Sequence, residues 1–278
     1  MKRMESDFNW AEIFLQFKQN VLAHVCPLLK TQKEPQPDLG TGAGGDKMKL
    51  VDLAAEKAIV EILLHNGVSF TLVSEESGMR EYGNTPKECY VTIDPVDGTT
   101  NLVRGLPFYC SSIAISHKPL LSDVYAAMVT DLFHGNTYIA KRGKGAYRDG
   151  KRIITSTDIF LTEAVIGLDL NTYNVKDIVP QLSDLIQATK HIRHFGANAL
   201  ELCYVAEGLT DAFVDIRGKL RTTDVAAGFL ILKEAGGIVS TPEGTPVDAE
   251  LDPKKTLSFV ASGNQKIHAN ILNLITPK

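Results

Sequence analysis

Cysteine is scarce in this chain: 278 residues contain four, at Cys26, Cys89, Cys110 and Cys203. None forms a CxxC pair and no His/Cys cluster has zinc-site spacing, so neither a disulfide scaffold nor structural zinc organises the fold, and the four read as buried reduced thiols. No run approaches the ~18 apolar residues of a membrane span. The opening MKRMESDFNW lacks the apolar core of a signal peptide. A soluble cytoplasmic protein without a membrane partner is therefore expected. A cationic excess is also missing: 29 Lys and Arg stand against 33 Asp and Glu, a net charge of −4. Nucleic acid is thus not expected as the partner, because phosphate backbones require clustered cations. A small phosphorylated ligand needs only a local site and stays open. Hydrophobic residues at 44% and charged residues at 22% are ordinary globular values, which excludes wholesale disorder, collagen and coiled coil.

Trp10, Ile13, Phe14, Phe17, Val21 and Val25 recur at helical spacing and predict an N-terminal helix, kinked or ended near Pro27. Residues 31–47, rich in Pro and Gly, read as a mobile loop. A second helix is expected over about 49–65, stopped by Asn66-Gly67. Strands are expected at 68–73, 90–93, 109–117, 124–131 and 137–141, with a further hairpin at Arg148-Asp149-Gly150. Beyond about residue 155 strands and helices alternate: strands at 164–169, 191–195, 211–216 and 257–261, helices at 175–190, 198–208, 222–235 and near 265–275. The reading is a layered α/β protein in two halves. An N-terminal α+β lobe, 1–155, carries the motifs below, and a C-terminal α/β lobe, 156–278, completes the site, with a hinge near 150–160.

One glycine-rich match misleads. Gly40-Thr-Gly-Ala-Gly-Gly45 fits GxGxxG, but Lys33-Glu-Pro-Gln-Pro-Asp38 before it cannot be the buried strand that a dinucleotide fingerprint requires. The informative stretch is Tyr90-Val-Thr-Ile-Asp94-Pro-Val-Asp97-Gly-Thr-Thr-Asn101. A β-branched strand delivers Asp94, and Pro95, lacking a donor, ends the strand. The turn aims Asp94, Asp97 and the Val96 carbonyl into one space. Gly98 permits an unusual backbone angle, and Thr99-Thr100 begin a helix whose free N–H groups favour an anion. Hard oxygen ligands beside a phosphate cradle are what metal-assisted phosphate hydrolysis needs. Glu75-Glu76 at a strand end and Asp224 at a helix start can project into the same crevice. A single Asp at a turn is usually only a cap. However, two carboxylates ~4 Å apart repel by roughly 4 kcal/mol at an effective dielectric near 20, so several converging carboxylates call for cations or raised pKa values.

Glu75-Glu76-Ser77, Asp94-Pro-Val-Asp-Gly-Thr-Thr-Asn101 and Asp224-Val-Ala-Ala-Gly228 with Glu234-Ala-Gly-Gly237 resemble, in order and spacing, the three signatures of the inositol monophosphatase superfamily, over about residues 8–275. Asp215-Ile-Arg-Gly-Lys-Leu-Arg221 is similar to the archaeal branch, whose members act on inositol monophosphate and fructose 1,6-bisphosphate. The resemblance implies a layered α-β-α-β-α sandwich of the sugar phosphatase type, a homodimer, and two or three Mg²⁺ ions held by Glu75, Asp94, the Val96 carbonyl, Asp97 and Asp224, with Glu76 reaching a metal through water. It implies a catalytic role for Glu75, Asp52 and Thr99, the last two orienting the attacking water, and a phosphate cradle at Gly98 and Thr99. Gly196 matches a family glycine. Ala197 stands where Ser or Thr is common, Asn198 where alanine is common, and Asp215 lies near the hydroxyl-binding acid. Thr223 replaces the tryptophan frequent in the animal enzymes, and residues 40–49 match the family's mobile metal loop in position only.

Arg193, Arg217, Lys219 and Arg221 flank the second half of the site. They are either solvated surface charge or a clamp for a second phosphate. The expected activity is Mg²⁺-dependent hydrolysis of a sugar or polyol phosphate, with Asp97, Gly98, Thr99, Arg193, Gly196, Asn198, Asp215 and Arg217 on the substrate. The alternatives are a nucleotide phosphatase acting on 3′-phosphoadenosine 5′-phosphate and a catalytically idle metal-binding regulator.

Overall fold

The computed structural model describes residues 9–29, 39–157, 159–171 and 175–275. In chain order the helices are α1 (Trp10–Leu29), α2 (Leu50–His65), α3 (Thr99–Arg104), α4 (Val175–Ala188), α5 (Asn198–Glu207), α6 (Thr222–Glu234) and α7 (Gln265–Ile275). The first eight strands are β1 (Phe70–Ser74), β2 (Gly78–Tyr82), β3 (Tyr90–Asp97), β4 (Cys110–Ser116), β5 (Val124–Asp131), β6 (Thr137–Lys141), β7 (Ala146–Arg148) and β8 (Lys151–Ile153). They form one sheet in the order β2-β1-β3-β4-β5-β6-β7-β8, in which only β1 and β3 run parallel. The other five, β9 (Val165–Leu168), β10 (His191–Arg193), β11 (Ala212–Arg221), β12 (Ile238–Ser240) and β13 (Thr256–Ser262), form a second sheet in the order β10-β9-β11-β13-β12.

Hydrophobic periodicity explains the layers. The stripe Trp10, Ile13, Phe14, Phe17, Val21 and Val25 is buried with Val51, Ala55, Ile59 and Leu63 of α2 against β1, β3 and β4. Helices α5 and α6 are apolar on nearly all sides and lie between the two sheets, joined in one cluster with Val129, Phe213 and Phe259. Helices α4 and α7 cover the outer face of the second sheet through Leu182, Leu185, Ile267 and Ile271. The result is the expected α-β-α-β-α sandwich.

Several boundaries differ from expectation. Helix α1 does end near Pro27, as expected, stopping two residues beyond it at Leu29. Strand β2 went unread because Met79, Arg80 and Glu81 lie exposed at a sheet edge, and β12 is only three residues long. Strand β3 continues through Pro95 to Asp97 rather than ending there. Its pairing with β4 shifts register between Asp94↔Ser112 and Asp97↔Cys110, so one extra residue bulges where Pro95 has no N–H to give. Strand β11 likewise continues to Arg221 through a shift between Asp215 and Leu220, so no free loop separates it from α6. Of the expected mobile loop, 31–38 lies outside the described residues, while 39–47 folds back on itself through a Thr41–Lys47 bridge.

Close packing of α5 on α6 sets the depth at which Asp224 enters the site. A Cβ at Gly228 would lie 2.6 Å from the Leu202 side chain. Gly228→Ala should therefore lower stability by ~1–3 kcal/mol through overpacking, outweighing the roughly 1 kcal/mol gained in helix propensity. Thermal unfolding checks this. An unchanged midpoint would mean that the helices separate freely.

Candidate active site

Four chain segments converge. Strand β1 ends at Ser74, so Glu75 begins the turn into β2. The β3 bulge carries Asp94, the buried Val96 and Asp97. Helix α6 presents Asp224 from its first turn, and α2 presents Asp52 from its own. One carboxylate oxygen each of Glu75, Asp94 and Asp224 lies within 4.8 Å of the others. Gly98 adopts φ 86° and opens α3. A Cβ there would meet the Ala197 Cβ at 3.0 Å and the Phe108 carbonyl at 3.1 Å, so the turn demands glycine on two counts.

Burial governs the electrostatics. Glu75 is pushed up to about 7 by desolvation, against the pull of Arg221. Asp52 is pushed up to about 7 by desolvation and then by Glu75, and Glu76 to about 8 by desolvation and then by Asp52. Asp94 and Asp97 are both held well above the carboxylate range by burial first, and then by Glu75 for Asp94 and by Asp224 for Asp97. Asp94 Oδ1 and Asp52 Oδ1 are buried without hydrogen-bond partners. Buried acceptors of this kind lack a counterpart that a divalent cation with hard oxygen preference supplies, so the residues fit such an ion.

The other expected residues are placed as follows. Asp97 stands beside the trio rather than in it: its Oδ2 accepts the Ala199 amide of α5 at 2.7 Å and the Cys110 thiol at 3.7 Å. Asp52 Oδ2 accepts the Lys49 amide at 3.2 Å, and no hydrogen bond joins Asp52 to the half-buried Thr99 among the described residues. Gly196 takes φ 80° and donates its amide to Glu201 at 3.0 Å. Asn198 begins α5 with its Oδ1 buried and unpartnered. Arg193 is exposed, and among the described residues its side chain bonds the Ile192 carbonyl alone, at 2.8 Å. Arg217 is not a free cation. Its side chain is 7% exposed and pairs at 2.5 Å with both Asp169 and the fully buried Asp215, with Asn171 as a further partner.

Two participants escaped sequence reading, and a third was read in another role. Arg221, one of the flanking cations there, instead enters the acidic centre, 2.6 Å from Glu75 and 3.4 Å from Asp224. Its position three residues before Asp224, at a helix start, was the available signal. Asp169 and Glu201 carried none, because only the tertiary fold brings them to β11 and to the 195–196 turn. Asn101 Nδ2 ties α3 to that turn through the carbonyls of Phe108 (2.8 Å) and Phe195 (2.6 Å).

A layered sandwich with a carboxylate trio at the mouth of a glycine-opened helix defines a hydrolase of phosphate monoesters. The chain belongs to the inositol monophosphatase family, whose model matches residues 12–276. The fructose-1,6-bisphosphatase/inositol-1-monophosphatase of Methanothermobacter thermautotrophicus is 34% identical over 98% of both chains. The bifunctional NADP phosphatase/NAD kinase of Methanococcus maripaludis is 32% identical over 95% of this chain and 48% of that protein. The crystal structure of an inositol monophosphatase-fructose 1,6 bisphosphatase superposes with a TM-score of 0.84 at 28% identity, covering 96% of this chain and 100% of that one.

The raised carboxyls give the protein a pH-dependent stability. A carboxyl whose folded pKa lies above its unfolded value stabilises the fold below the unfolded pKa, near 4, and that contribution is lost as pH rises through the folded value, here about 7 to 8. Thermal midpoints in EDTA should therefore fall between pH 5 and pH 8, and Mg²⁺ should restore them at pH 8 while doing little at pH 5. A midpoint in EDTA that is flat across this range would contradict the clustering.

Proposed function

We infer that the protein hydrolyses phosphate monoesters of sugars and polyols with Mg²⁺ as cofactor, and that inositol 1-phosphate and fructose 1,6-bisphosphate are its substrates. The observation that carries this reading is the trio Glu75, Asp94 and Asp224 converging from three elements beside Gly98. Glu75, Asp94 and the Val96 carbonyl would hold one ion, and Asp94, Asp97 and Asp224 a second. Bound there, Mg²⁺ supplies Lewis acidity at the phosphoryl oxygens and lowers the pKa of water. The chain's own part is positioning. Thr99 and Asp52 would orient the attacking water, with Asp52 able to take its proton because burial holds its pKa at about 7. The backbone at Gly98 and Thr99 holds the reacting phosphate. Gly196 and Asn198 would meet the substrate hydroxyls, whereas Asp215, fully buried with both oxygens bonded to Arg217, anchors that arginine. A cytoplasmic homodimer accords with the family resemblance, and among the described residues no helix is long and apolar enough to cross a membrane.

The two arginines take different parts. Arg193 offers an exposed charge to a second phosphate. Arg217, its charge already balanced by Asp169 and Asp215, holds Asp215 in place and contributes its remaining N–H. Arg193→Ala should raise KM for the bisphosphate ~10- to 100-fold, the value of a charge-assisted contact, and leave inositol 1-phosphate unaffected. Arg217→Ala should raise KM for both, since it uncovers two carboxylates. Steady-state kinetics on both substrates decides this, with NADP as a third arm because one relative is named for that activity. Preference for NADP over both sugars would replace this substrate assignment.

Asp94→Asn should abolish turnover and weaken Mg²⁺ binding in calorimetry. Thr99→Ala and Asp52→Asn should each lower kcat ~10²-fold or more, the scale of a positioned proton-transfer group, with the double variant no worse than the worse single. Additive losses would mean that the two do not share one water.

A further inference from the structure

Two segments far apart in the chain meet beside Gly98. One links α3 to β4 and contains Phe108. The other links β10 to α5 and contains Phe195, Gly196 and Ala197. The Asn101 side-chain amide serves both. Its Nδ2 donates to the Phe108 carbonyl at 2.8 Å and to the Phe195 carbonyl at 2.6 Å, so both of its hydrogens are used. The rings of those two phenylalanines stack with centroids 4.7 Å apart, and Tyr204 of α5 meets the Phe108 ring edge-on at 5.2 Å. From α5, Glu201 Oε1 accepts the Phe195 amide at 3.2 Å and the Gly196 amide at 3.0 Å, and Glu201 is itself 3% exposed. Phe195 is thus held at its carbonyl by α3 and at its amide by α5. A Cβ on Gly98 would lie 3.2 Å from the Gly196 carbonyl, so the turn abuts the phosphate cradle.

A substrate gripped by its phosphate presents its hydroxyls at a distance fixed by its own covalent frame. The protein must hold its second set of contacts at that same distance, since a misplacement of about 1 Å costs on the order of 10²-fold. Hydrogen bonds fix direction as well as distance, which apolar packing alone does not. We propose that Asn101 and Glu201 are positioning residues that together set the span between the phosphate cradle and the 195–198 turn. They thereby govern recognition of the polyol or sugar portion of the substrate, and not cleavage of the phosphate ester itself. This role rests on the reading of the preceding section that Gly196 and Asn198 meet the substrate hydroxyls.

The test compares three monoesters on the full chain with Mg²⁺ present: inositol 1-phosphate, fructose 1,6-bisphosphate and phenyl phosphate, which has no hydroxyl to offer the turn. Asn101→Asp keeps the shape but sets acceptors against two carbonyls. Glu201→Ala frees two backbone amides, whereas Glu201→Gln retains an acceptor oxygen. Asn101→Asp and Glu201→Ala should each lower kcat/KM for the two hydroxylated substrates about 10- to 100-fold, the scale of a small misplacement. The loss should be carried by KM, with phenyl phosphate close to the wild-type value. Glu201→Gln should recover most of it. Hydrogen exchange of peptides covering 193–198, without substrate or metal, should be faster in Asn101→Asp and Glu201→Ala than in wild type. Circular dichroism verifies folding, and each of these two variants serves if the other fails to fold. Equal losses on all three monoesters would overturn the proposal, because the residues would then act on the cradle or on the fold as a whole. So would unchanged kinetics on the hydroxylated substrates, or no rescue by Glu201→Gln. Unchanged exchange at 193–198 would refute the clasp whatever the substrate. Hydrolysis of neither hydroxylated substrate by wild type would instead remove the proposed function, and the positioning role with it.

Discussion

Like charge held out of water is the constraint on which this molecule turns. Glu75, Asp94, Asp97 and Asp224 come from three separate elements and are brought together by apolar packing that has no interest in their charge. The sandwich supplies the force: sheet against α5 and α6, and α1 and α2 against the sheet's other face. What it assembles is a set of carboxylates too poorly solvated to ionise freely. Such a set is tolerable only with protons or with cations. The protein has both within reach, through pKa values raised toward neutrality and through Arg221, which already neutralises part of the set.

The two sides of the site differ in how they treat charge. On the β3 side, carboxylates gather without enough partners, and oxygens of Asp52 and Asp94 remain unmatched. On the β11 side the accounts balance locally: Arg217 sits between Asp169 and Asp215, and Glu201 accepts the amides of Phe195 and Gly196. The first arrangement suits a place where a cation and a phosphoryl group must be received. The second suits a rigid wall against which hydroxyls are compared, since fully satisfied polar groups reject a ligand that leaves them unpaired.

Much of this was legible in the sequence, for physical reasons. The stripes of α1 and α2 and the apolar α5 and α6 could be read because burial imposes periodicity. The Asp94–Asn101 block could be read because a bulge, a glycine at positive φ and a helix start each demand a particular residue in a fixed order. Pairing across the fold was not legible. Asp169 looks like any strand-end acid until β9 lies beside β11, and Arg217 looks like a free cation until Asp169 arrives. Strand β2 hid because an edge strand with three exposed residues has no hydrophobic signature. Pro95 misled in the other direction: the missing donor argued for a strand end, yet a sheet can step over one residue and go on.

One hydrogen bond has a further bearing, on the birth of the protein. Asp97, in the first sheet, is held by the amide of Ala199, more than a hundred residues later in the chain. During synthesis, β1 to β8 emerge complete while α5 and α6 are still unmade. The partner that Asp97 needs is therefore absent while the first sheet is being made, and the site takes its final form only once α5 and α6, which follow in the chain, are in place.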